Sequence, residues 1–161
     1  MVATLHPRIK SVVSSWLRKH EASQERNGED VFVRFFISYM CLDAIMTEGS
    51  QEDRDQSKLE WLIENENVLR HAFTEGRFDK SALIDLKRLS PVADMRPRHS
   101  NNAVKLEAVS NFGEVVRFIY QIRCNFFHGG KSDQEERDRL LITHAGQFLM
   151  NWVRGVVLHT S

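Results

Sequence analysis

Apolar residues recur at helical spacing along most of this chain. After Pro7, a residue suited to a first helical turn, Ile9, Val12, Val13, Trp16 and Leu17 fall at i, i+3, i+4, i+7 and i+8 and predict one buried stripe. Glu25-Arg26-Asn27-Gly28-Glu29-Asp30 interrupts it. From 31 to 46 the pattern changes: Phe32, Phe35, Phe36, Ile37, Tyr39, Met40, Leu42 and Ile45 leave almost no polar face. Such a helix belongs in the middle of a bundle.

Ser57-x-x-Glu60 reads as a capping box, with a start one turn earlier also open, and leads into Leu59, Leu62, Ile63, Leu69 and Phe73 before Gly76. A short helix over 81–89 follows, then an irregular stretch over 90–102 containing Pro91 and Pro97. The pattern predicts a fifth helix over 104–127, with Val115, Phe118, Ile119, Ile122 and Phe126 inward. Ser132-Asp133-Gln134-Glu135 is a second capping box, opening a final helix through Leu141, Ala145, Phe148, Leu149, Trp152 and Val156. The expectation is an all-α, up-and-down bundle of five to six helices in a single domain over 1–161.

Composition agrees. A chain of 161 residues is long enough for one buried core. Its 42% hydrophobic and 27% charged residues are an ordinary balance for a folded chain. Lys+Arg and Asp+Glu are both 22, so any nucleic-acid surface must come from uneven placement of charge, not from net charge. Cys41 and Cys124 have no C-x2-C spacing, and free thiols are expected, not zinc or a disulfide. The N-terminus has no basic region followed by an apolar core, and no apolar run approaches the roughly 20 residues needed to span a bilayer. A cytoplasmic protein with no membrane partner is expected.

The candidate chemistry lies in Ile122-Arg123-Cys124-Asn125-Phe126-Phe127-His128-Gly129-Gly130-Lys131-Ser132. Arginine offers a planar, permanently charged fork to phosphate oxygens. Histidine titrates near neutral pH and carries protons, and asparagine can orient either group. Spacing alone says little, because Arg-x4-His occurs three times: Arg123/His128, Arg139/His144 and Arg154/His159. Only the first has a polar residue in its spacer and a double-glycine helix stop behind it.

On one regular helix Arg123 and His128 would project about 140° apart, whereas Arg117, Gln121, Asn125 and His128 share a stripe about 80° wide. Either the helix ends before His128, or two copies of the chain complete one site.

The motif stretch resembles the R-x4-H motif of the HEPN superfamily, and its His-Gly-Gly-Lys ending is most similar to the Apea-like branch. The segment Arg34-Phe35-Phe36-Ile37-Ser38-Tyr39-Met40-Cys41-Leu42-Asp43-Ala44-Ile45 resembles the aromatic-rich early helix of that branch, with Asp43 where an asparagine is often found. The resemblance implies a HEPN-like fold and a homodimer whose motifs line one cleft. It also implies a metal-independent endoribonuclease with no cofactor. His128 would be the general acid/base, Arg123 the phosphate clamp and Asn125 the orienting group. The 2′-hydroxyl of RNA would attack the adjacent phosphate and leave a 2′,3′-cyclic product. Defence or toxin–antitoxin association implies a protein antitoxin or regulator as partner. A catalytically inactive HEPN domain that binds nucleotide, RNA or a protein fits the same residues, as does a helical interaction module with an accidental motif.

Other residues join as candidates. Asp43, an acid inside an apolar helix, needs a partner and is expected to pair with Arg123 or with another buried donor. Lys87, Arg88, Arg96, Arg98 and Lys105 against Asp94 form a basic segment able to track a phosphate backbone, with Arg117 as a further phosphate contact. Gly130-Lys131-Ser132 imitates the end of a P-loop but follows a helix, which leaves Lys131 as a possible RNA contact. No H-E-x-x-H or comparable metal spacing occurs. Gly130 stands where HEPN toxins paired with nucleotidyltransferase antitoxins often carry a tyrosine, so the resemblance does not extend to regulation through that side chain.

Overall fold

In the computed structural model, which describes residues 4–94, 102–127 and 135–159, the fold is an all-α helical bundle with one minimal hairpin. The first helix, α1 (Pro7–Asn27), starts with Pro7 as expected, and the His6 side chain caps it by accepting from Arg8 N. Gly28, at φ 79°, turns the chain out of α1. Asp30 then caps α2 (Val31–Ser50), its Oδ1 accepting from Phe32 N at 3.0 Å and Val33 N at 3.2 Å.

The helix that is apolar all round is the central one. α2 packs most extensively on α7 (Glu136–His159), and also on α1 and on α3 (Asp55–Glu64). Gly146 sets the closest approach of α2 and α7: a Cβ there would lie 3.3 Å from the Phe35 backbone. Gly49 plays the same part between α2 and α3, where the Trp61 ring fills the space a side chain would need.

Among the described residues there are seven helices, more than the five to six expected, because the third predicted helix is two. α3 ends at Asn65, and α4 (Val68–Thr74) begins after Asn67. Asn67 makes the break by donating to Leu62 O at 3.1 Å and Asn65 O at 2.8 Å while its Oδ1 caps Arg70 N at 2.9 Å. One side chain thus replaces helix bonds from both sides. α3 itself starts a turn before the expected capping box, so Ser57 lies inside it.

After α5 (Lys80–Arg88) comes a two-residue antiparallel hairpin, β1 (Val92–Ala93) with β2 (Ala103–Val104), inside and just beyond the stretch read as irregular. α6 (Phe112–Phe127) starts eight residues later than the pattern predicts. The Glu114 carboxylate explains the delay: Oε2 accepts from Glu107 N at 3.0 Å and Ala108 N at 2.9 Å, while Asn111 Oδ1 caps Glu114 N. These bonds fold the preceding segment back instead of continuing it as helix. Of the capping box expected before α7, Ser132, Asp133 and Gln134 lie outside the described residues.

Aromatic residues gather at both ends of α6. At its start, Phe112, Phe73, Phe78, Phe148 and Trp152 form one cluster, with Phe148 and Trp152 stacked at 5.4 Å. At its end, Phe126 and Phe127 meet Phe32, Phe35, Phe36 and Tyr39 of α2. Among the described residues no helix is long and apolar enough to cross a membrane.

Candidate active site

Arg123 lies in the last turns of α6, at the second of these clusters. Its guanidinium carbon sits 5.0 Å from the Phe127 ring centre, 5.6 Å from Tyr39 and 5.9 Å from Tyr120. Burial pushes the Tyr39 hydroxyl far above the ordinary tyrosine range, and burial followed by the Cys124 neighbour pushes Tyr120 up to about 12. Both are therefore neutral phenols at ordinary pH, and the cage supplies ring faces, not charge. The charge comes from Asp55, whose Oδ2 accepts from Arg123 Nη1 at 3.1 Å. The side chain keeps 21% of its surface in solvent. Arg123 Nε is buried with no hydrogen-bond partner.

Asp43 does not reach Arg123. Its Oδ1 accepts instead from the buried Lys58 at 3.1 Å, the other of its two expected kinds of partner. Lys58 also stands 4.0 Å from Asp55. Two lysine and arginine cations and two carboxylates thus alternate across α2, α3 and α6, and the acid that holds Arg123 is Asp55. Sequence reading missed Asp55 because it is one of many acids in the polar run that leads into α3. Only its place in the first turn, where a carboxylate favours the helix dipole, set it apart.

Asn125 points elsewhere. Two residues further along a helix is about 200° of rotation, and Asn125 is buried against the hairpin, away from the aromatic cage. Its Nδ2 donates to Ala93 O at 2.8 Å, and its Oδ1 accepts from Gln121 Nε2 at 2.9 Å. The polar stripe of α6 is therefore not a solvated face. Gln121 and Asn125 are its buried middle, and Arg117 is its exposed start. His128, beside which the orienting role is implied, lies outside the described residues; among the described residues Asn125 ties β1 to α6 through its bond to Ala93 O and is braced within α6 by Gln121. Asn125→Asp, which keeps the shape but removes the donor, is expected to cost about 1–3 kcal/mol in urea denaturation. A loss below about 0.5 kcal/mol, the level of ordinary surface changes, would remove that role.

His128, Lys131, Arg96 and Arg98 lie outside the described residues. The two other Arg-x4-His pairs are engaged apart from one another. His144 Nδ1 stands 3.6 Å from Asp85, and Arg154 Nη2 donates to Glu21 at 2.7 Å. Cys41 is a buried free thiol, pushed up to about 12 by burial, and Cys124 is free and half-buried. Among the described residues no group of histidine, cysteine and acidic side chains is placed to hold a metal ion.

The chain matches no protein-family model, no curated protein and no solved structure.

Proposed function

We propose that the protein is a metal-independent endoribonuclease of HEPN type, in which Arg123 holds the scissile phosphate and His128 moves the proton. The observation that carries this reading is the mounting of Arg123. Three aromatic rings and one carboxylate fix a partly exposed guanidinium five residues before a histidine. A fork fixed in advance loses little freedom on meeting a phosphate and needs little reorganisation when charge develops there. Asp55 holds the guanidinium, and Asn125 braces the helix that carries it through its bonds to Ala93 and Gln121.

The site is completed by a second copy of the chain. Phe36 is 40% exposed although its ring lies 5.3 Å from Phe127, and Val33, one turn earlier on the same face of α2, is 41% exposed. This apolar rim beside Arg123 suits a symmetric contact that brings the two motifs together.

RNA incubated with the purified protein in EDTA is expected to be cut, leaving 2′,3′-cyclic phosphate ends. A 2′-deoxy sugar at the cut position should stop the reaction by removing the nucleophile. Cleavage that appears only on adding a divalent metal, or intact RNA throughout, would overturn the reading.

A further inference from the structure

At the opposite end of α6 the other aromatic cluster is open on one side. Between α4, α5 and the loop entering α6 lies a pocket of about 530 Å³, with Phe73, Phe78 and Phe112 among its walls. Phe73 and Phe78 are stacked at 4.8 Å and 12°, and Phe112 lies 5.0 Å from Phe73 at 59°. A pocket of this size with an apolar, aromatic wall and few polar groups is the usual form of a small-molecule site.

Its charged lining has one sign. Among the described residues the charged side chains in the wall are Arg70 and Lys80, and no carboxylate lines it. Arg70 is held in place: its guanidinium lies 5.9 Å from the Phe112 centroid, and its Nη1 donates to Ile63 O at 2.5 Å. The nearest acid to it is Glu66, at 4.0 Å from Nε and 88% exposed, so the pair is weakened by water. Lys80 is exposed and makes no ion pair among the described residues.

We propose that this pocket binds a small aromatic anion: a flat ring against the phenylalanines, with its carboxylate or phosphate at Lys80 and Arg70. Aromatic rings favour offset or edge-to-face contact with one another, and the three phenylalanines at different tilts offer both. Arg70 and Lys80 supply charge-assisted donors for the head group. From Phe112 to Arg123 the rise along α6 is roughly 16 Å at 1.5 Å per residue. The pocket is therefore separate from the nuclease site, and neither assignment depends on the other.

Isothermal titration calorimetry on the full chain tests it with four probes: 2-naphthoate, 2-naphthyl phosphate, the uncharged 2-naphthalenemethanol and the aliphatic anion octanoate. At least one naphthyl anion is expected to saturate a single site with a Kd of about 1 mM or tighter, and the tighter of the two identifies the head group. The alcohol and octanoate should each bind about tenfold more weakly, and Lys80→Gln should weaken the preferred anion about tenfold through loss of one charged hydrogen bond. Ser110→Trp fills the pocket from an exposed position of its wall and should abolish binding. Lys80→Gln changes only a surface side chain, so it carries the test if the filled variant misfolds. No saturation by either naphthyl anion, equal affinity for the alcohol or for octanoate, or an unchanged Kd in Lys80→Gln would each overturn the proposal.

Discussion

Arg123→Ala is expected to lower RNA cleavage by at least about 100-fold, the scale of losing one preorganised donor to a developing anion. The alanine also strips Asp55 of the nearer of its two cations and empties an aromatic cage, so a folding defect must be separated from a chemical one. Arg123→Lys does that. It keeps a cation near Tyr39, Phe127 and Asp55 but replaces the fork with a point charge, and should still cost about tenfold or more. Melting temperatures close to wild type for the lysine variant would place its loss in the chemistry.

The same variants test the shared site. Arg123→Ala and His128→Ala should each be inactive alone. If each site takes its arginine from one protomer and its histidine from the other, equal mixing with subunit exchange should restore about a quarter of the wild-type sites. Half the dimers are then mixed, and each mixed dimer has one intact site. No recovery despite proven exchange would place both groups within one protomer. Full cleavage by either single variant would end the assignment.

Trp152→Ala is expected to cause the largest loss of stability, about 3–5 kcal/mol in urea denaturation. Trp152 is 1% exposed in the second half of α7 and touches Phe73, Phe112 and Phe148. Its Nε1 also donates to Leu69 O at 2.9 Å, tying α7 to α4. Alanine therefore both leaves a cavity and removes the bond that ties α7 to α4. Trp152→Phe separates the two, because it refills much of the ring volume while removing the bond to Leu69 O, and is expected to cost about 0.5–1.5 kcal/mol. Equal losses in the two variants would mean that the hydrogen bond, not packing, dominates this position.

The helices were legible wherever the apolar pattern alone decides them. Pro7, the polar break over 25–30 and the all-apolar run after Val31 predict α1 and α2, and the stripe from Leu141 to Val156 predicts α7. What pattern did not show came from single polar side chains bonding to the backbone. Asn67 divides one predicted helix into α3 and α4, and Glu114 with Asn111 delays α6. Both use local bonds that a periodicity of 3.6 does not register. The site was legible in the same uneven way. Arg123 stands out by its neighbours in sequence, but Asp55 and Tyr39 reach it through tertiary packing, and Lys58 reaches Asp55. The bonds of Asn125 to Ala93 and Gln121 likewise cannot be read from the motif.

Asp55 is shared between two cations, with Arg123 on one oxygen and Lys58 at the edge of reach on the other. A carboxylate divided in this way grips each neighbour less firmly than it would grip one alone. The leash on the arginine can therefore be tightened or slackened by a change at position 58, through a residue that need never meet a ligand.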